Sequence, residues 1–277
     1  MAPVDCVRQL VVNADDFGRS AGINEAVIRA HQEGILTSAS LMVGEPSAAE
    51  AVALARANPR LGVGLHLTLI LGHSVLPPER IPGLVDAQRA FGHDPVALGW
   101  KYFFRRDLQQ QLAMEINAQF AQYRDWGLPL GHVNGHLHLH MQPAILKFLM
   151  AHARELGIRH CRLTCEPLRP NLKAVPGRYF VRTLQATVFR CLGAWCRRQL
   201  QARNIRFTHQ VFGQLQDGRV VENYLLHLLP HLPTGTSEVY SHPATDLFPD
   251  ELAALVSPQV RAVVEREGIR LIQYRDL

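Results

Sequence analysis

Residues 9–67 read QLVVNADDFGRSAGINEAVIRAHQEGILTSASLMVGEPSAAEAVALARANPRLGVGLHL, and this stretch decides the fold. Its first apolar run, 9–13, has strand length, whereas 22–33 places apolar residues at helical spacing until Gly34 stops them. Residues 38–43 return to a strand pattern. Residues 47–57 form the next helical stretch, with Ser47 placed as a cap behind Pro46. Residues 62–67 are a third apolar strand, so the opening quarter reads βαβαβ. Strands separated by helices must cross over and pair in parallel.

The same alternation continues outward. Residues 73–99 carry Pro77-Pro78, Pro82-Gly83, Gly92 and Pro95, which predicts a long loop or insertion. Beyond it the pattern predicts helices at 105–123, 143–155, 179–203 and 220–229, and further helices within 249–267. Strands are predicted at 132–136, 159–163, 237–241 and 269–273. No internal repeat or linker interrupts the series, which favours one α/β domain over residues 1–277. Seven or eight parallel strands suit a TIM-barrel-like (β/α)7-8 domain with loop insertions, the rival being an open doubly wound sheet. No glycine-rich dinucleotide or Walker loop follows any of these strands, which argues against dinucleotide and ATP enzymes.

Composition narrows the classes further. The 277 residues are 47% hydrophobic and 19% charged, as in a folded globular chain. The net charge of +5 is modest and comes almost entirely from arginine. Without an aromatic-interleaved basic motif it predicts no nucleic-acid partner. The five cysteines, Cys6, Cys161, Cys165, Cys191 and Cys196, lack paired zinc spacing and read as free thiols of a reducing cytosol. The short apolar run at 10–12 is too brief for a signal peptide or a membrane span.

Four segments carry chemistry. Asn13-Ala14-Asp15-Asp16-Phe17-Gly18 places adjacent carboxylates at a strand end, where a shared cation or proton would relieve their repulsion. On extended backbone the two point to opposite sides, which predicts different roles; a solvated turn ending at Gly18 is the plainer alternative. Gly64-Leu65-His66-Leu67 buries a histidine in an apolar strand, either as a hydrogen-bonded core residue or as a ligand. His132-Val133-Asn134-Gly135-His136-Leu137-His138-Leu139-His140 repeats polar residues with period two. Fully extended, its outer histidines would stand about 26 Å apart, so the economical reading is one ligand with neighbours that orient it. Ser241-His242-Pro243-Ala244 closes a late strand with a histidine suited to acid catalysis near neutral pH. Arg162 could neutralise a carboxylate or orient Asp15, or be an ordinary surface arginine.

Taken together, these four segments resemble the YdjC-like carbohydrate deacetylases in order and spacing over nearly the whole chain. Gly34-Ile35-Leu36-Thr37-Ser38 and Ser40-Leu41-Met42-Val43-Gly44 are similar to the branch associated with hopanoid biosynthesis. The resemblance implies a barrel that removes N-acetyl groups from sugars with one divalent ion, zinc or magnesium. It implies Asp16, His66 and His136 as metal ligands, Asp15 as base and His242 as acid, with Arg162 matching loosely. Asn134 departs from the pattern, because such deacetylases usually carry aspartate there.

The expected partners follow from that chemistry. The substrate would be an acetylated amino sugar or a glycolipid such as an N-acetylglucosaminyl hopanoid, and the protein cytoplasmic, with a homodimer as one arrangement. The stretch opening at Arg178 and closing at Arg206 sets Phe180, Val181, Leu184, Val188, Leu192 and Trp195 among arginines. That pattern is the core face of a helix or a surface for peripheral contact with the inner membrane face. Trp100, Tyr102, Phe103 and Phe104 would extend such a surface.

Overall fold

The fold is that of a computed structural model in which residues 7–174, 177 and 179–277 are described; Cys6 and Arg178 lie outside them. The predicted alternation appears as β1 (Arg8–Phe17), α1 (Ala21–Glu33), β2 (Ser38–Leu41), α2 (Ala48–Ala57) and β3 (Gly62–Leu67). Next come α3 (Pro95–Phe104), α4 (Arg106–Asp125), β4 (Val133–Gly135), α5 (Pro143–Ala151), α6 (Leu168–Ala174) and α7 (Tyr179–Gln201). The series closes with β5 (Gln210–Phe212), α8 (Glu222–Leu228), β6 (Gly235–Ser241), α9 (Pro249–Val256), α10 (Pro258–Arg266) and β7 (Arg270–Leu271).

Among the described residues these strands pair in parallel, in the order β4-β3-β2-β1-β6-β5, with β7 also paired to β1. From Val11 to Phe17 β1 is buried throughout, as a strand covered on both faces must be. It holds β6 along Arg8 to Ala14 on one edge; on the other, β7 pairs at Gln9 and Leu10 below β2, which pairs from Asn13 onward. The C-terminal turn is thereby tucked beneath β2.

Among the described residues the ladders do not run round into a closed (β/α)8 barrel. Between β4 and β5 the wall is made by single bridges, Val133 to Cys161 and His160 to Arg206, where the sequence predicts a strand at 159–163. Other corrections are local. Pro95 starts α3 instead of extending the loop, because Asp94 accepts from the amides of Val96 and Ala97 and caps the turn. The Ser47 hydroxyl makes no capping bond to α2. Helix α6 and the short strand β5 carry too few residues to show a period, and the sequence pattern misses both. The four described cysteines are free.

Candidate metal centre and its buried support

Parallel strands align their C-terminal ends, so residues far apart in sequence arrive at one place. His66 on β3 and Asn134 on β4 are register partners, and Ser40 on β2 pairs with Gly64 two residues before His66. Asn13 and Asp15 follow the same two-residue alternation along β1. Asp16 breaks it. Its φ of 64° and the register shift between Ala14 and Phe17 mark the break. The two carboxylates therefore do not part to opposite sides as an extended strand predicts: both face His66, Asp15 Oδ1 at 3.9 Å from its Nδ1 and Asp16 Oδ1 at 3.3 Å from its Nε2, while their remaining partners differ.

Asp16 meets the two histidines. Its Oδ1 lies 2.9 Å from His136 Nδ1 and 3.3 Å from His66 Nε2, and those nitrogens are 3.3 Å apart. All three residues are buried, and Asp16 Oδ1 has no hydrogen-bond partner. Donors about 2.1 Å from one ion, spread near tetrahedral angles, stand roughly 3.4 Å from each other. The trio could thus hold one divalent ion. Asp16 Oδ2 accepts from Arg19 at 2.9 Å. Burial alone would raise its pKa, but His136 and His66 hold the Asp16 carboxyl well below the usual range.

Asp15 has a different environment. Its Oδ1 accepts from Asn13 (2.8 Å), Asn134 (3.1 Å) and Arg162 (2.9 Å), and its Oδ2 from Arg162 (2.6 Å). Burial again opposes ionisation, and the Arg162 guanidinium overcomes it, keeping Asp15 ionised far below the ordinary carboxylate range. Arg162 is fully buried and so is no surface arginine.

The histidine run does not stay extended. Strand β4 ends at Gly135, and Leu137 and His138 are left-handed, with φ of 48° and 60°. The four histidines consequently part company. His132 Nε2 lies 2.9 Å from Ser40 Oγ, His136 joins Asp16, His138 Nε2 lies 2.9 Å from the Tyr240 hydroxyl, and His140 Nε2 donates to the Arg162 carbonyl at 3.0 Å. Burial pushes the His140 pKa down to about 3, which fits a neutral ring that only donates there.

His242 follows β6. Its amide donates to Glu251, and its Nδ1 lies 3.5 Å from Asp217 Oδ1. Burial disfavours its charged form, but the carboxylates of Asp16, Asp15, Asp217 and Glu251 outweigh that and raise its pKa. Sequence reasoning missed Glu238 and Tyr274. Glu238 is fully buried within β6, whose mostly polar sequence GTSEVYS gives no sign of that burial.

Fold and site together define a parallel α/β protein whose strand ends gather a carboxylate and two imidazoles fit for a divalent ion, beside a second, arginine-clamped carboxylate. The chain belongs to the YdjC-like protein family, whose pattern matches residues 9–266. It is 30% identical over 282 residues to a carbohydrate deacetylase of Geobacillus stearothermophilus, covering 97% of this chain and 98% of that one. A chitooligosaccharide deacetylase of Serratia marcescens is 37% identical over 155 residues, 54% of this chain and 57% of the relative. A crystal structure from Enterococcus faecalis V583, of a proposed cellobiose-phosphate cleavage protein, shares the fold with a TM-score of 0.73 at 24% identity, covering 98% of each chain.

Proposed function

We propose that this chain is a metal-dependent carbohydrate N-deacetylase that hydrolyses the acetamide of an N-acetylated amino sugar to acetate and a free amine. The observation that carries the reading is the convergence of Asp16 Oδ1, His66 Nε2 and His136 Nδ1 next to an ionised Asp15. The ion would be held by Asp16, His66 and His136. When bound it supplies Lewis-acid polarisation of the acetyl carbonyl and a lowered pKa for water. Two imidazoles and one carboxylate suit zinc before magnesium.

The remaining work belongs to this chain's own side chains. Asp15, held by Arg162, Asn13 and Asn134, takes the proton of the attacking water. His242, favoured in its charged form by the surrounding carboxylates, donates a proton to the departing amine nitrogen as the C–N bond breaks. The relatives from Geobacillus and Serratia, named for deacetylation of carbohydrates and chitooligosaccharides, support the same substrate class.

The exposed apolar residues favour a lipid-linked sugar as the particular substrate. Tyr179, Phe180, Val181, Leu184 and Val188 are exposed on the first half of α7, whereas Leu192 and Trp195 pack against the core. The basic amphipathic stretch thus divides into an outward part and a core-facing part. Trp100, Phe103 and Phe104 are exposed on α3, but Tyr102 is buried and donates to the Leu69 carbonyl, so it leaves that surface. No helix among the described residues is long and apolar enough to cross a membrane. An interfacial contact at the inner membrane face would let such an enzyme reach an N-acetylglucosaminyl hopanoid.

The decisive experiment incubates the purified protein and one divalent ion with chitobiose and with N-acetylglucosaminyl lipid. A loss of roughly 42 Da with equimolar acetate is expected, abolished by chelation, as acetyl-for-hydrogen exchange requires. Binding of either sugar without acetate release would sink the enzymatic reading in favour of a carrier. Flotation with anionic liposomes tests the membrane contact, and a protein that stays at the bottom at low salt counts against it.

A further inference from the structure

Arg162 is clamped from both sides. Its NH1 and NH2 donate to Asp15, while Nε and NH2 donate to Glu238 Oε1 at 3.0 and 2.8 Å. These bonds use four of the five N–H groups of the guanidinium. Its flat face lies 4.4 Å from the centre of the Tyr240 ring. Glu238 has no freedom of its own, because the Tyr274 hydroxyl donates to its other oxygen. Tyr274 in turn stacks on His132, with ring centres 4.2 Å apart and planes within 14° of parallel.

The chain of contacts then returns to its start. His132 Nε2 lies 2.9 Å from Ser40 Oγ, and that oxygen accepts from Asn13 and Asn134, the two amides that also donate to Asp15. Asp15, Arg162, Glu238, Tyr274, His132 and Ser40, with Asn13 and Asn134 between Ser40 and Asp15, form a closed circuit, every member buried. We infer that Glu238 and Tyr274 are positioning residues, which fix the roll of the Arg162 fork so that its NH1–NH2 edge faces Asp15.

The physical reason is geometric. A guanidinium that met Asp15 alone would leave Nε–H and one NH2 hydrogen buried without acceptors, and it would rotate to find them. Glu238 satisfies those two groups in one orientation only. Tyr274 holds the carboxylate there, so the turn beyond β7 sets the aim of a group at the far end of β1. A small misplacement at a reacting carboxylate lowers turnover without touching substrate binding.

The kinetic part rests on the deacetylase reading, so the test pairs turnover with a measurement that does not. Glu238→Ala and Tyr274→Phe are compared with wild type for kcat, KM, metal affinity and the ¹⁵N-detected Arg162 Nε–H resonance. Glu238→Ala is expected to lower kcat about 10- to 100-fold with KM and metal affinity within twofold, consistent with lost orientation. It should also abolish the slowly exchanging Nε–H signal. Glu238→Gln, which keeps a carbonyl acceptor at the same place, should recover most of both. Tyr274→Phe should give a smaller fall in kcat and faster Nε–H exchange, and it stands in if Glu238→Ala fails to fold. Unchanged kcat and unchanged Nε–H exchange in folded variants would overturn the inference. So would losses of KM and metal affinity that parallel kcat, the pattern of a merely structural role. Absence of acetate release from wild type would count against the deacetylase reading alone, while the exchange measurement still decides the geometry.

Discussion

His66 Nδ1 and Asn134 Oδ1 are 2.8 Å apart, and because an amide oxygen only accepts, the proton of His66 sits on Nδ1. Asn134 is fixed in that orientation by its NH2 group, which donates to Asp15 and Ser40. His66 Nε2, turned toward Asp16 and His136, is therefore the nitrogen left to give its lone pair to an ion. An asparagine rather than an aspartate here also avoids a second negative charge about 3 Å from Asp15, where like carboxylates would suppress each other's ionisation.

Asn134→Ala should accordingly weaken metal binding 10- to 100-fold, the usual effect of losing a group that orients a ligating histidine. Titration with zinc, followed calorimetrically, checks this. Unaltered affinity would mean that Asn134 does not set the His66 tautomer.

His136→Ala removes one of three convergent donors while leaving Asp15 and its clamp in place. The variant is expected to purify with substoichiometric metal and to lose acetate release, and elemental analysis measures the first. Full metal content would show that the ion is bound elsewhere.

Asp15→Asn should behave in the opposite way. Arg162 keeps Glu238 as a charged partner, so the variant should fold and bind its ion normally. The amide cannot take a proton, so turnover should fall by about 10²- to 10⁴-fold, the range for a lost general base. A variant that hydrolyses at the wild-type rate would remove Asp15 from that role.

Much of this was legible in sequence because period and address are local properties. The strand-helix alternation of residues 9–67 located β1, β2 and β3 to within a few residues. It also put Asp15, Asp16 and His66 at strand ends, where a parallel sheet gathers them. The His132 to His140 run was harder to read, since its period of two described an extended chain. Left-handed backbone at Leu137 and His138 divides it among four destinations, and nothing in the residue types announces that turn. Glu238 and Tyr274 were illegible for another reason. Each is unremarkable alone and acquires meaning only through Arg162 and His132, which lie far away in the chain.

A last prediction concerns stability. Glu166 is buried; its oxygens accept from the Leu215 amide at 2.8 Å and from the Asn171 side chain, yet burial outweighs these donors and raises its pKa from 4.5 to about 7. A carboxyl with a raised folded-state pKa stabilises the fold fully below pH 4.5, and that contribution is lost as pH rises through about 7. The gap is worth roughly 3 kcal/mol. Glu166→Gln carries no such penalty, because its amide stays neutral and its carbonyl can still accept from Leu215. The stability of wild type relative to Glu166→Gln should therefore decline between pH 5 and pH 8, by roughly 3 kcal/mol at most. Urea unfolding of both proteins across that range measures the difference, and parallel pH profiles would show that Glu166 is ionised as readily in the folded chain as in the unfolded one.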